Sequence, residues 1–340
     1  MLRLELESWS FALAVCLAGC GAGTEVASDA PPASSLLSEP LGDLPEQLSE
    51  VGLYRDLPRL SSSSRALPYE PGYPLWSDGG TKQRYLVLPR GASIDASHDE
   101  YLLPPGSLLF KTFSFLTEQS PDAPQPIETR VLRATSAGWE FAAYAWNQEG
   151  TDATLLDLKK PQPVAVLADD GTPFEHLIPN RLECRQCHES AASQVLGFNE
   201  LQLAKSGDLE RLAPHLDPPP PESPAALPEQ GPLTSQVLGY LVGNCVHCHN
   251  GSNGAASSFD LRPEVALSNL IDQPTASSAT AAGIRVAPGE PDHSVLYLAL
   301  AGNRTGEVKD MPPLGVAVRD ARAALLLRDW IDALGTEEDP

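Results

Sequence analysis

Two short stretches of the chain repeat one arrangement of reactive side chains, Cys184-Arg185-Gln186-Cys187-His188 and Cys245-Val246-His247-Cys248-His249. In each, two thiols stand three positions apart and an imidazole follows directly. The spacing suits thioether attachment of a porphyrin: both thiols reach the two vinyl groups of one macrocycle, and the adjacent imidazole meets the iron from the proximal side. Two covalently attached haem c groups (iron) are therefore expected, held by Cys184, Cys187, Cys245 and Cys248, with His188 and His249 as iron ligands. Two Cys pairs could instead build a four-thiolate zinc site. The gap from Cys187 to Cys245 exceeds the usual zinc-ribbon spacing, however, and the trailing histidine recurs in both copies.

The distal ligand of the second iron follows by elimination. Apart from the initiator, Met311 is the only methionine, in Lys309-Asp310-Met311-Pro312-Pro313-Leu314-Gly315. The prolines after it hold the loop extended, and no helical face calls for a core methionine there. His/Met ligation raises a reduction potential relative to bis-His, which suits electron transfer. The first iron has no second thioether to complete it. His98, His176, His215 and His293 remain, with His98 and His215 favoured, or the iron is open and binds small molecules. His247, inside its motif, is expected to face solvent. Lys82 and Arg84, beside Trp76 and Asp78, either meet haem propionates or form a surface ion-pair cluster.

The elements that must position these groups fall into blocks. Arg84-Tyr85-Leu86-Val87-Leu88, the run 107–115, Glu128-Thr129-Arg130-Val131-Leu132-Arg133 and the run 139–146 are β-branched or aromatic, partly alternating and bounded by turn residues. They predict an antiparallel β domain over 50–172, with a bulge where alternation slips at Ala142-Ala143. A first haem-binding segment spans 173–213, with a helix near 193–212, and a semi-rigid proline-rich linker spans 214–232. Beyond it, Thr234-Ser235 caps a helix that delivers Cys245 and Cys248. A last helix places Leu327, Trp330, Ile331 and Leu334 on one face, and Gly239 would let the two helices cross closely. The expected fold class is multi-domain α+β, an antiparallel β domain followed by a mainly α-helical cytochrome c haem-binding region.

The chain's 23 basic and 45 acidic side chains give a net charge of −22 over 340 residues. Such a field repels nucleic acid and anionic lipid and steers a basic redox partner toward the surface, although solubility alone explains it equally well. The apolar run Phe11 to Cys20 is too short to span a bilayer and ends in small residues, as a secretory signal does. Leu17-Ala18-Gly19-Cys20 resembles a bacterial lipobox. That resemblance implies a signal peptide over 1–19, lipidation of Cys20 and a lipid anchor on the periplasmic side of the envelope, with Gly21 favouring the outer membrane. Residues 20–48, rich in Ala, Ser, Pro and acids, are expected to be a disordered tether.

Residues 233–335 resemble class I type cytochrome c domains, through Asn244 to His249, the block Pro288-Gly289-Glu290-Pro291 to Tyr297, and Met311-Pro312-Pro313. The Pro-Gly-x-Pro block is similar to one in large planctomycete-type cytochromes. Upstream, Leu67-Pro68-Tyr69-Glu70, Pro74-Leu75-Trp76-Ser77-Asp78-Gly79, Lys82, Arg84, Lys111-Thr112-Phe113, Glu128-Thr129-Arg130, Tyr144-Ala145-Trp146-Asn147 and Cys187-His188 to Gly197 resemble bacterial di-haem c-type cytochrome lipoproteins without an assigned physiological reaction. The resemblance covers nearly the whole mature chain and implies haem and electron transfer, but no substrate. A di-haem peroxidase or small-molecule reductase with an open first haem is the alternative. In a third reading the β domain binds a partner or glycan, and the haems anchor it in a redox assembly.

Overall fold

The computed structural model describes residues 36–37, 40, 42–57, 59–189, 194–251, 259–275, 283–302 and 308–336. Residues 1–19, expected to be a signal peptide, and Cys20 lie outside the described residues. A short helix, α1 (Leu48–Val51), and a ribbon of β1 (Tyr54–Asp56) and β2 (Ser61–Ser62) precede an eight-stranded antiparallel sheet. That sheet begins with β3 (Leu67–Pro68) and β4 (Thr81–Val87). After β5 (Ile94–Asp95), which stands outside it, the sheet continues through β6 (Leu108–Thr117), β7 (Ser120–Thr135), β8 (Gly138–Trp146), β9 (Ala153–Leu155), β10 (Gln162–Leu167) and β11 (Pro173–Ile178). Three helices follow, α2 (Arg181–His188), α3 (Glu200–Ser206) and α4 (Asp208–Leu212), then β12 (Leu216–Asp217), which pairs in parallel with β5. The last helices are α5 (Pro232–Asn244), α6 (Ala266–Leu270), α7 (Val295–Ala301) and α8 (Ala321–Leu334).

Both faces of the sheet are buried, which explains why its strands alternate only partly. On one face Tyr85, Val87, Phe110, Val131, Ala142 and Tyr144 pack under Leu36, Leu37, α1 and β1. On the other, Leu86, Leu109, Leu132 and Phe141 pack under Val195, Phe198 and helices α3 and α4. Ala142 and Ala143 therefore each serve a covered face, and β7 pairs with β8 without a slip. The irregularity is instead in β7 where it pairs with β6: Phe113 and Ser114 face Glu128 and Pro126, which leaves Ile127 as the extra residue, and the register shifts again between Phe115 and Thr117.

The expected fold class is corrected. The chain is mostly antiparallel β, 29% strand against 25% helix, and a cytochrome c haem-binding region would be helical. The segment after the β block does not form one. It opens with strand β11, α2 to α4 are short and lie on the sheet, and loops connect helices of 5 to 14 residues. Proline and glycine break the apolar periodicity: Gly207, at φ 82°, splits the helix expected over 193–212 into α3 and α4. The tether expected over 20–48 is docked at its described end, where the apolar pair Leu36 and Leu37 is fully buried. The proline linker is held too, through β12 and through Ala225 N–H on Glu200 Oε1 (2.6 Å).

Helices α5 and α8 share a core of Val237, Leu238, Leu241, Leu327, Trp330 and Ile331. Trp330 Nε1 donates to Thr234 Oγ1 (3.0 Å), so that hydroxyl serves the core, while the helix begins at Pro232 after Gly231. Gly239 faces not α8 but Tyr73, whose ring carbons would lie 2.6 Å from an added Cβ. Ala is the better helix former by up to about 1 kcal/mol. Gly239→Ala is nonetheless expected to lower stability by about 1–3 kcal/mol in urea unfolding through overpacking, and Tyr73→Ala in the same chain should restore most of it.

Candidate functional site

Helix α2 starts at a capping box. Asn180 accepts from the N–H groups of Leu182 (2.8 Å) and Glu183 (3.1 Å), and Glu183 returns to Asn180 N–H (2.9 Å). Three residues apart, Cys184 and Cys187 share one helix face, and Cys184 packs on the core between sheet and helices. His188 closes the helix with its ring 5.4 Å from that of Phe141. Its Nδ1 donates to the Gln194 carbonyl at 2.7 Å. A carbonyl only accepts, so the proton sits on Nδ1 and Nε2 carries the lone pair, the arrangement of a metal-binding imidazole with a fixed second partner. Burial, joined by repulsion from Lys111, Arg130 and His247, lowers its pKa to about 4 and keeps the ring neutral.

The second motif is a tight turn at the end of α5. Cys245 N–H donates to Leu241 O (2.8 Å), and the N–H groups of Cys248 (3.1 Å) and His249 (2.9 Å) both reach Cys245 O. Cys245 joins the α5/α8 core, and burial pushes its thiol up to about 12. His249 lies 5.1 Å from the Phe259 ring, and its buried Nδ1 has no hydrogen-bond partner among the described residues.

Although far apart in the sequence, the two motifs meet. The Cys187 thiol donates to the Cys248 sulfur, which holds Cys187 protonated and draws Cys248 toward thiolate. His247 also hydrogen-bonds Cys248 and is half-buried, so the expectation that it faces solvent is corrected. The joint is built by residues 71–79. Trp76 N–H donates to Asn244 Oδ1 (2.7 Å) at the end of α5, and Trp76 Nε1 to Val318 O (2.7 Å). Asp78 Oδ1 accepts from the N–H groups of Ala317 and Val318, both at 2.8 Å. Tyr73 N–H donates to Gln202 Oε1 in α3 (2.7 Å). One strap thus ties α3 to the end of α5, which carries the second motif, and to the segment before α8.

Beside the first motif lies a group of charged side chains, Arg84, Glu128, Asp78 and His176 buried and Lys82, Lys111 and Arg130 half-buried. In the sheet register Arg84 stands opposite Lys111, and Lys111 opposite Arg130, one row of cations across β4, β6 and β7. Two positions along, Lys82 and Glu128 flank Phe113 on the same face. Arg84 pairs with Glu70. Arg130 Nε donates to Glu128 Oε2 (2.9 Å), and Glu128 Oε1 also meets His176 Nε2 (2.9 Å). His176 Nδ1 lies 3.8 Å from Asp78 Oδ2, an ion-pair distance too long for a hydrogen bond. Lys82 donates to the Leu75 carbonyl. Lys111 has neither a hydrogen bond nor an ion pair among the described residues, only the Phe113 ring 4.9 Å away. Burial, then its cationic neighbours, lower the Lys111 pKa well below the usual lysine range.

Of the first iron's candidate ligands, His176 is spent on Glu128. His98 is exposed, His215 sits half-buried in the turn 213–215, and His293 is exposed and paired with Glu290 at 2.8 Å. Met311 donates its N–H to Ala299 O (2.9 Å), and its side chain is 38% exposed. Among the described residues no hydrogen bond or ring contact joins it to His249. No group of three or more His, Cys, Asp or Glu side chains among them is gathered as around a metal ion, so the four thiols do not converge as a zinc site requires. The residues do fit covalent porphyrins: paired thiols beside each imidazole, a free Nε2 on His188, an unpartnered nitrogen on His249, and more cations than carboxylates nearby. Sequence reasoning missed the roles of Lys111, Glu128 and Arg130. Their signal was charge at alternate positions inside otherwise apolar strands.

Comparison with protein-family models, curated proteins and solved structures finds no match to this chain.

Proposed function

We propose that the protein is a di-haem c-type electron carrier of the cell envelope, exported and lipid-anchored through Cys20. The observation that carries this reading is the meeting of the two C-x-x-C-H motifs, with Cys187 against Cys248. Thioether haems attached at adjoining residues would form a close pair, as electron relay requires. When bound, each haem supplies one-electron chemistry. The chain's own part is to fix the His188 imidazole through the Gln194 carbonyl, to exclude water through the α5/α8 and sheet cores, and to hold the second motif in place through the strap 71–79. The net charge of −22 favours a basic redox partner.

Mass measurement under denaturing conditions, on protein matured in a host that assembles haem c, tests this. The chain should carry two haems, and Cys184→Ala with Cys187→Ala should carry one. Retention of two in that variant would remove the first motif from the assignment. A peroxidase or small-molecule reductase draws on one observation, the buried His176 whose Nδ1 has no hydrogen-bond partner among the described residues, a candidate proton donor beside the first motif. EPR of the ferric protein separates the two readings. Low-spin signals indifferent to cyanide support the carrier, and a high-spin signal that responds to cyanide supports the enzyme.

A further inference from the structure

The basic groups gathered beside the first motif, Arg84 and His176 buried and Lys82, Lys111 and Arg130 half-buried, outnumber the carboxylates around them among the described residues. Among the described residues Lys82, Arg84, Lys111, Arg130 and His176 face three carboxylates, Glu70, Glu128 and Asp78. Asp78 also gives one oxygen to two backbone N–H groups. Like charges directly opposite across a sheet repel one another, and Arg84, Lys111 and Arg130 stand in that relation on one face. An ion withdrawn from water without a partner costs several kcal/mol. Folding alone gives no reason to keep three cations in one row, whereas a bound dianion does. The row also points at the right place. Arg130 lies within electrostatic reach of Cys184 and Cys187, and Lys111 within reach of His188.

We propose that Lys111, with Lys82, Arg84 and Arg130 around it, is the carboxylate seat for the propionates of the haem attached through Cys184 and Cys187. The proposal rests on the haem reading above. It adds the sheet face as the element that receives the porphyrin's polar edge, with Lys111 as the ammonium left free for it. Beside two propionates Lys82, whose pKa burial lowers to about 7, and Lys111, lowered well below the usual lysine range, would regain full charge, and the thioether bonds would hold the dianion where a free anion would be in exchange with solvent.

The test is Lys111→Met, close in shape and without charge, in the full chain and in the variant lacking Cys184 and Cys187. Without the first haem, Lys111→Met should raise the melting temperature, because it removes an amine that stands among other basic groups with no hydrogen-bond or ion-pair partner among the described residues. With both haems attached it should lower it. Resonance Raman bands of propionate bending should shift for one haem and not the other, and the potential of that haem should fall as a nearby positive charge is lost. Lys82→Met serves as the second variant should Lys111→Met not accumulate, with the same pattern expected.

If denaturing mass shows haem on Cys184 and Cys187 but the propionate bands and the potential do not move, this proposal is overturned and the haem reading stands. If no haem is attached there, both fail. A melting-temperature rise of that haem-free protein with added phosphate or succinate, lost in Lys111→Met, would then identify a free small anion as the ligand of the row and overturn the propionate assignment.

Discussion

Glu128→Ala is expected to lower the stability of the protein by about 3–5 kcal/mol, the usual cost of removing one partner from a buried ion pair. Glu128 is fully buried and serves two cations at once, Arg130 and His176. Burial alone would push its carboxyl pKa up. The Arg130 guanidinium and the His176 ring overcome that and bring it down to about 2. Removing the carboxylate leaves Arg130 opposite Lys111 without the ion pair that Glu128 gave it. Against a total stability of about 5–15 kcal/mol, that loss brings the fold near its limit. Urea unfolding measures it, and a change below about 1 kcal/mol would show that the cluster is solvated rather than paired. Adding Lys111→Met to Glu128→Ala should recover part of the loss, because one of the repelling charges is gone. The residual non-additivity reports how strongly the two positions couple.

The same cluster fixes the direction of pH dependence. Because the folded pKa of Glu128 is depressed, its contribution is present above the ordinary carboxylate value near 4.5 and is lost as pH falls toward about 2. For His176, burial lowers the pKa but Asp78 and Glu128 raise it more, and the net shift is upward from 6.5. That contribution is complete below pH 6.5 and is lost as pH rises through the elevated value. The two limbs together place the contribution of the Glu128–His176 pair highest in mildly acidic solution, and Lys82 and Lys111, whose pKa values are depressed, oppose it as they take up protons.

Much of this site could be read from residue types. The two C-x-x-C-H stretches, the strand runs around Arg84, Lys111 and Glu128, and the α8 face of Leu327, Trp330 and Ile331 are local patterns with local causes. What could not be read is what depends on pairing. Arg84, Lys111 and Arg130 become neighbours only through the register of three strands, and register is set by which faces are buried. The faces themselves misled at Ala142-Ala143, where apolar residues in succession marked a sheet covered on both sides rather than a bulge. Gly239 shows the same limit: a small residue in a helix signals a close neighbour, and only the tertiary structure shows that it is Tyr73 of the strap rather than α8. The helical expectation for the second half failed because it extrapolated from the motif to the fold. Attachment needs two thiols and an imidazole in one turn, which a short helix on a sheet and a loop after α5 provide as well as a bundle does.

Met311→Ala is expected to leave stability within about 0.5 kcal/mol of the parent while changing the spectrum of one haem. The first half follows from packing. Met311 joins none of the apolar clusters and is 38% exposed, and its one hydrogen bond, to Ala299 O at 2.9 Å, belongs to the backbone and survives the substitution. The second half follows from the chemistry of the chain, since no other thioether remains beyond the initiator. The segment bearing Met311 is held on both sides, by Ala299 before it and by the grip of Asp78 on Ala317 and Val318 after it. If Met311 completes the second iron, its loss abolishes the thioether charge-transfer absorption and lowers one of two reduction potentials, because thioether ligation is what raises it. The other potential should not move. An unchanged spectrum with unchanged stability would remove Met311 as a ligand. A large fall in stability would instead place it in the fold, and the two outcomes are separated by measuring unfolding and redox titration on the same preparation.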